Sequence, residues 1–250
     1  MSAPVAKIVE KGFAYLVLDR ELLDAAAFGA VSLLPGCDFD DPQHPDLADD
    51  FLRLMSGWNN EVQAALFNPN TLAPTFNASQ ITHPPRFNAF YDISQAPHVD
   101  AATWRLELSG QIGDRRAWRI DQLRALPQES QITRFVCVEG WRVIGQWSGV
   151  PLRHFLRAIS ADTRARYVAV RCADGYFTSI DMESALHPQS ILALDFLGAP
   201  LTAPFGAPVR LRIPTKLGFK NPKTIVAMEV TDKWTGGYWE NQGYNWFSGS

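Results

Sequence analysis

Hydrophobic and polar positions follow two different periods along the chain, one helical and one typical of strands. Between residues 46 and 67 the apolar side chains recur at helical spacing, at Leu47, Phe51, Met55, Trp58, Val62 and Leu66. Aspartates cluster at the start of this segment, where they suit the positive end of a helix dipole. The pattern therefore predicts one amphipathic helix over residues 46–67.

Most of the remaining chain alternates apolar and polar residues with a period of two, which is typical of strands with one buried face. The alternating segments are residues 104–109, 132–138, 167–172, 208–213 and 224–230. Short helices are predicted at 120–126 and, following Pro151, at 152–159. A Pro- and Asn-rich stretch after residue 69 is typical of an ordered loop. One helix followed by many strands predicts an α+β fold, a single β-rich domain.

Composition narrows the class of protein only slightly. Hydrophobic residues make up 46% of the chain and charged residues 20%, which is ordinary for a globular protein. The formal net charge is −3 and the lysines and arginines form no run, so we expect no nucleic-acid partner. The three cysteines, Cys37, Cys137 and Cys172, are too few and too scattered for a disulfide framework.

Residues 1–37 have two interpretations. An uncharged apolar segment begins at Ala25 and ends at Cys37 in Leu-Pro-Gly-Cys, which resembles a bacterial lipoprotein cleavage box. This interpretation predicts an export signal and a periplasmic protein that is tethered to the membrane. The acidic residues Asp19, Glu21 and Asp24 instead favour a short amphipathic helix in a cytoplasmic protein. An acidic linker and the predicted helix follow in residues 38–68, and the main domain would occupy residues 69–250.

Several common catalytic signatures are missing from the sequence. It contains no phosphate-binding P-loop, no G-x-G-x-x-G dinucleotide fingerprint and no G-x-S-x-G nucleophile elbow. The five histidines show no zinc-ligand spacing, and no C-x-x-C is present. The sequence therefore does not favour an ordinary hydrolase, a dinucleotide-binding enzyme or a zinc enzyme.

The segment Phe-Val-Cys-Val-Glu-Gly-Trp at residues 135–141 ends a predicted strand at Cys137. On its own, this cysteine fits an inert buried thiol as well as a reactive thiolate. Three other segments supply groups that a large anionic cofactor needs. Residues 87–92 offer an amide and a phenol, residues 206–210 place an arginine on a strand, and residues 217–223 bring two lysines to a bent loop. Each segment taken alone also fits an ordinary turn, strand or surface loop.

Together and in this order, these segments resemble the molybdopterin-binding domain of the sulfite-oxidase family. The likeness extends over about residues 87–247, and it favours the bacterial branch that includes the catalytic subunit of the periplasmic methionine-sulfoxide reductase. Its most specific pieces are Cys-Val-Glu-Gly-Trp at 137–141, Trp-Ser-Gly-Val-Pro-Leu at 147–152, Gly-Phe-Lys at 218–220, and the aromatic tail at 235–247.

The resemblance implies a role for individual residues. Cys137 matches the metal-binding cysteine and is the predicted catalytic residue, since a soft thiolate suits molybdenum. The other predicted cofactor-binding residues are Asn88, Tyr91, Asp92, Cys172, Arg210, Asn221, Pro222 and Lys223. Cys172 replaces a threonine of the relatives, and Phe205 stands where an asparagine is expected and is not a predicted site residue. Residues that could line the mouth of the site are Glu139, Trp141, Asp174 and Tyr176.

The resemblance also implies a function. A molybdenum-molybdopterin cofactor would support oxygen-atom transfer, and the bacterial branch favours reduction of S-oxides over the alternative, sulfite oxidation. A cofactor-free binding protein on the same fold is the second alternative. We expect a small-molecule substrate and a separate electron-transfer protein, such as a membrane haem subunit, because no haem-attachment C-x-x-C-H is present. In the sulfite oxidases that the chain resembles, an immunoglobulin-like dimerisation domain follows the metal domain, whereas this sequence ends at Ser250, so we expect a monomer.

Overall fold

The structure, a computed structural model, describes residues 45–249 with the exception of residue 90. The predicted export segment of residues 1–37 and the acidic linker up to residue 44 lie outside the described residues. Their roles stay predictions, as does the division of the chain at residues 37 and 68. Within the described part of the chain, no helix combines the length and the apolar character needed to cross a bilayer.

Four α-helices occur in the described part of the chain. Helix α1 covers Pro45–Leu66, which confirms the predicted helix, and α2, α3 and α4 cover Ile120–Arg124, Leu152–Ala158 and Met182–Leu186. Helix α4 was not predicted. Helix α1 contacts the last residues of the chain, because the side chains of Asn60 and Gln63 accept hydrogen bonds from the backbone N–H groups of Phe247 and Gly249.

In the described residues, nine strands form two sheets. Their bounds are β1 Glu107–Gly110, β2 Glu129–Val136, β3 Arg142–Pro151, β4 Tyr167–Cys172, β5 Phe177–Asp181, β6 Ile191–Phe196, β7 Ala199–Pro200, β8 Arg210–Arg212 and β9 Ile225–Thr231. The first sheet has the order β1-β9-β4-β5, with β1 and β9 parallel. The second runs β2-β3-β6, and both β7 and β8 pair with the far edge of β6. This mixture of helices and two sheets confirms the α+β prediction.

Strand β6 explains why the two sheets share one core. Its residues Leu192 and Leu194 belong to a large apolar cluster that also takes side chains from α3 and from the first sheet. Ile191 and Ala193, on the opposite face of β6, join a smaller cluster around Trp147. Burying one large apolar side chain contributes about 1.5–3 kcal/mol, so the double-sided burial of β6 fixes the second sheet against the first.

Some predicted strands are shorter in the structure. Strand β2 ends at Val136 instead of residue 138, because Cys137 N–H donates to the carbonyl of Trp141 and closes a hairpin loop. Strand β8 covers only Arg210–Arg212, and residues 104–106 form a single bridge between Leu106 and Trp118 instead of a full ladder. In these places the backbone makes turn hydrogen bonds instead of hydrogen bonds between strands. An alternation of apolar and polar residues with a period of two fits both arrangements, so it does not show where a strand ends.

Candidate active site

Cys137 lies in the loop that joins β2 to β3. Its N–H donates to the carbonyl of Trp141, and its own carbonyl accepts from the N–H of Gly140. Gly140 has a φ of +86°, a conformation that glycine adopts without steric cost. The turn therefore holds the Cys137 side chain at one end of the sheet, where it lines a cleft of about 290 Å³.

The Cys137 thiol is hydrogen-bonded to a carboxylate. Its Sγ lies 3.6 Å from Oε2 of Glu139, and the same oxygen accepts a hydrogen bond of 2.7 Å from the indole Nε1 of Trp141. Burial raises the pKa of the Cys137 thiol to about 11, and the charge of Glu139 acts in the same direction. The sulfur is therefore protonated at neutral pH, and a thiolate here requires a bound cation in place of the proton.

The floor of the cleft is built from buried cations. Arg210 is 1% exposed, and its Nη1 and Nη2 donate to the carbonyls of Phe205 and Asn221 at 3.3 and 3.0 Å. Lys223 Nζ donates to the carbonyls of Asn88 and Pro204 at 2.6 and 3.0 Å. Burial lowers the pKa of Arg210 to about 10 and that of Lys223 to about 7. The hydrogen-bond acceptors of both side chains are therefore neutral carbonyl groups and not carboxylates.

A third buried cation, Arg212, lies two residues beyond Arg210 and on the same face of β8. Its guanidinium donates to the side chain of Asn221 at 2.9 Å and to the carbonyl of Arg134 at 2.5 Å. No carboxylate of the described residues lies within ion-pair distance of Arg210, Arg212 or Lys223, and the Nε atoms of both arginines have no hydrogen-bond partner. Buried charge without a counter-charge is costly, so this set fits an anionic group such as a phosphate.

The loop of residues 218–223 packs tightly on β2. A Cβ at Gly218 would lie 2.6 Å from Cζ of Phe135, so a glycine is required for this approach. The side chain of Asn221 is used within the protein, because its Oδ1 accepts from Arg212 and from the N–H of Ile213. Of the predicted site residues in this loop, Asn221, Pro222 and Lys223 all line the cleft.

The structure brings six of the nine predicted site residues into the cleft lining, namely Asn88, Tyr91, Cys137, Asn221, Pro222 and Lys223. The predicted mouth residues Glu139, Trp141, Asp174 and Tyr176 line it as well. The Tyr91 hydroxyl donates to Asp174 at 3.1 Å, and burial, followed by the Asp174 charge, raises the pKa of that phenol. The phenol therefore stays protonated, and it forms part of the cleft wall.

The other three predicted residues lie outside the lining. Arg210 lies beneath it, and Cys172 is buried, which raises the pKa of its thiol. Asp92 is exposed and caps the short 3-10 helix Ile93–Gln95 by accepting from the N–H of Ser94. Their cofactor contacts stay predictions. Phe205 packs its ring on Phe196 at 4.9 Å, and only its carbonyl reaches Arg210.

Sequence reasoning missed several lining residues. Arg86, Phe219, Trp239 and Tyr244 complete the cleft, and the guanidinium of Arg86 lies 4.3 Å from the ring of Trp141. Among the described residues, no group of three or more His, Cys, Asp or Glu side chains is placed to hold a metal ion. Arg212 could have been found, since a period of two puts it on the same strand face as Arg210.

Comparison with known proteins assigns this arrangement to a family. Residues 93–239 match the model of the oxidoreductase molybdopterin-binding domain. The chain belongs to this family. The match includes Cys137, Arg210 and Lys223, and it begins just after Asn88 and Tyr91, which lie in the same cleft. The resemblance to the molybdopterin-binding domain of sulfite oxidases is therefore confirmed.

Relatives of this molybdopterin-binding domain are similar over different lengths. The chain is 51% identical over 246 residues to the putative protein-methionine-sulfoxide reductase subunit YedZ1 of Azospira oryzae, covering 98% of this chain and 91% of that protein. It is 31% identical over 171 residues to the protein-methionine-sulfoxide reductase catalytic subunit MsrP of Xanthomonas campestris, covering 59% of this chain and 53% of MsrP. The match thus spans about half the length of that MsrP relative.

A solved structure supports the fold of the domain. The sulfane dehydrogenase SoxCD from Paracoccus pantotrophus aligns with a TM-score of 0.52 and 19% identity, covering 55% of this chain and 40% of that one. At this identity the likeness concerns the fold alone. It agrees with the predicted sulfite-oxidase type of molybdopterin-binding domain.

The buried lysines of the domain predict a pH dependence. We expect Lys223 alone to add roughly 1–2 kcal/mol to the unfolding free energy of the cofactor-free protein between about pH 7 and pH 8.5. Lys223 has a pKa of about 7 when folded and 10.5 as a reference value. In this window the unfolded chain holds a proton that the folded chain has lost, so stability rises with pH.

Urea unfolding at the two pH values measures this effect. Burial also lowers the pKa of Lys216 to about 7 and that of Lys220 to about 8, so Lys223→Met should reduce the rise without abolishing it. Stability that falls over this window, or a rise of equal size in the variant, would contradict the assignment to Lys223.

Proposed function

We propose that this chain is the catalytic subunit of a molybdenum-molybdopterin enzyme that reduces S-oxides by oxygen-atom transfer. The observation that carries the proposal is a single protonated thiol, Cys137, at one end of a cleft whose floor holds cations without carboxylate partners. The thiol suits a soft metal, and the cations suit the phosphate of the cofactor. The relatives are named as methionine-sulfoxide reductase subunits, which supports the choice of substrate class.

The chain itself supplies the binding groups. Arg210 and Lys223 would hold the anionic end of the cofactor, with Arg212 behind them, and Cys137 would ligate the metal. When bound, the molybdenum cofactor supplies two-electron oxygen-atom transfer. The side chain of Glu139, at 3.6 Å from the Cys137 sulfur, is placed to take the thiol proton when that sulfur becomes a ligand.

The rest of the cleft acts on the substrate and on water. Reduction of an S-oxide consumes two electrons and two protons and yields a thioether and water. Aromatic rings of Trp141, Trp239 and Tyr244 line the mouth, where they exclude water and contact the organic groups on sulfur. The Tyr91 phenol, held by Asp174, keeps a donor at the wall. We propose that the electrons come from a separate protein, as the word subunit in the relatives' names suggests for those proteins.

The charge at the mouth favours an S-oxide over sulfite. Two carboxylates, Glu139 and Asp174, line the cleft, whereas the guanidinium of Arg86 is a cation stacked on Trp141 at 4.3 Å. With the cations of the floor paired to the cofactor's phosphate, an anion at this entrance would meet two carboxylates and one guanidinium, while a neutral S-oxide would meet no such barrier. Sulfite oxidation by the same cofactor is therefore the weaker candidate.

The test compares the two reactions on one preparation. The protein is purified from a host that makes the cofactor and is analysed for molybdenum and pterin. We expect near-stoichiometric molybdenum, and a kcat/KM for methionine sulfoxide, with reduced benzyl viologen as donor, on the order of 100-fold above that for sulfite with ferricyanide as acceptor. Faster sulfite oxidation would support the alternative reaction. A protein that carries neither metal nor pterin would support the cofactor-free binding protein.

A further inference from the structure

A second chemical feature lies behind the cleft, in the buried ion pair between Lys220 and Glu240. The two side chains are 1% and 2% exposed, and Lys220 Nζ contacts Oε1 of Glu240 directly. Lys220 Nζ also donates to the carbonyl of Ser179 at 2.9 Å. Neither residue lines the cleft, so the proposed reaction does not use their charges directly.

The pair joins two segments that do line the cleft. Lys220 ends the 3-10 helix Gly218–Lys220, and its neighbour Phe219 faces the cleft. Glu240 begins the 3-10 helix Glu240–Gln242 in the C-terminal tail, between the lining residues Trp239 and Tyr244. One ion pair therefore fastens the tail to the loop that carries the proposed phosphate-binding lysine.

The fastened segments form one continuous surface, the aromatic wall, made by Phe219, Trp239 and Tyr244. The ring centroids of Phe219 and Tyr244 are 5.8 Å apart, and those of Tyr244 and Trp239 are 5.1 Å apart. The tail is shaped around the buried carboxylate, because a Cβ on Gly237 would lie only 2.0 Å from Oε2 of Glu240. The backbone at Gly237 therefore lies directly against the Glu240 carboxylate, which fixes this part of the tail around the ion pair.

A buried ion pair is a poor way to gain stability, because desolvation offsets most of the attraction between the charges. Its distinctive effect is to fix two groups in one relative position. A second buried pair contacts the end of the tail from outside it, since Lys216 lies 3.2 Å from Asp181 and donates to the carbonyl of Phe247 at 2.8 Å. Neither Lys216 nor Asp181 lines the cleft, so this second pair serves as a matched control.

We propose that Lys220 and Glu240 are positioning residues that hold the aromatic wall in place to bind the organic part of the S-oxide. This inference rests on the proposed function. Neither residue touches the substrate, and both act through Phe219, Trp239 and Tyr244. A substrate with a long side chain, such as methionine sulfoxide, depends on the wall, whereas dimethyl sulfoxide is too small to use it.

The kinetic test uses the loaded enzyme and Glu240→Gln. We expect the KM for methionine sulfoxide to rise about tenfold, with kcat and the KM for dimethyl sulfoxide changed less than about twofold. The double variant Lys220→Met/Glu240→Met removes both buried charges, so it should recover thermal stability but keep the raised KM. Asp181→Asn should lower stability with no change in KM. Recovery of KM together with stability in the double variant would show that the pair serves folding only.

A second readout needs no turnover. Acrylamide quenching of tryptophan fluorescence is measured with and without Trp239→Phe, so that the difference reports the exposure of Trp239. Glu240→Gln should increase the quenching of Trp239, and Asp181→Asn should not. If the wild type reduces no S-oxide, the proposed function fails, while quenching still decides whether the pair fixes the wall. Unchanged quenching in Glu240→Gln would overturn the inference.

Discussion

Cys137→Ser is expected to lower S-oxide reduction by a factor on the order of a thousand or more. Serine offers a hard alkoxide with a much higher pKa in place of the soft thiolate, so the metal loses the one protein ligand that the cleft provides. The cations of the floor are untouched, and the variant should therefore retain pterin. We expect its absorption bands from sulfur-to-molybdenum charge transfer to disappear while the pterin oxidation product remains.

The comparison variant for this prediction is Cys172→Thr, which introduces the residue that the family resemblance leads us to expect at this position. Its thiol lies outside the cleft lining, so molybdenum and the charge-transfer bands should be retained. Full activity and unchanged charge-transfer bands in Cys137→Ser would remove Cys137 from the metal site.

Arg210→Met is expected to weaken cofactor binding by about 3 kcal/mol, roughly a hundredfold in dissociation constant. The guanidinium is fully buried among neutral partners and aromatic rings, with Trp147 at 4.8 Å, and an anionic ligand would be its only counter-charge among the described groups around it. Methionine fills a similar volume without charge. Pterin and molybdenum content after dialysis, measured together, report this loss.

Two further measurements show whether the loss comes from charge. In the cofactor-free protein, Arg210→Met removes a costly buried charge but leaves the carbonyls of Phe205 and Asn221 without a donor, so its thermal midpoint should change little. Arg210→Lys keeps the charge but not the two-pronged geometry and should bind with intermediate affinity. Arg124→Met, which breaks an exposed pair with Asp195, should keep the cofactor. A wild-type cofactor content in Arg210→Met would contradict the phosphate assignment.

Local chemistry made parts of the site predictable. A strand that runs to Cys137 and breaks at a glycine can be seen in the sequence, and the structure puts that cysteine in the hairpin loop. The basic residues after residue 217 could be recognised because glycine and proline bend the chain there. In each case one short segment contained all the residues on which the prediction depended, and residues close together in a short segment are also close together in the structure.

Other parts depend on contacts between distant segments. The pairing of Lys220 with Glu240 joins residues 20 positions apart through a tail that shows no periodic pattern. The side chain of Asn221 matches a cofactor-binding position, but the buried Arg212 and the backbone of Ile213 occupy its oxygen. Helix α4 has only five residues, which is too short for a helical period to show.

The contact of α1 with Phe247 and Gly249 implies an order in which parts of the fold can form during synthesis. Asn60 and Gln63 emerge from the ribosome early, whereas Phe247 and Gly249, whose N–H groups donate to them, emerge much later. Strand β1 can likewise form its ladder with β9 only after β9 has been synthesised. The two ends of the described chain therefore contact each other only after residues 247–249 have been synthesised. The lining residues Trp239 and Tyr244 also follow most of the domain in the chain, so the cleft is incomplete until they have emerged.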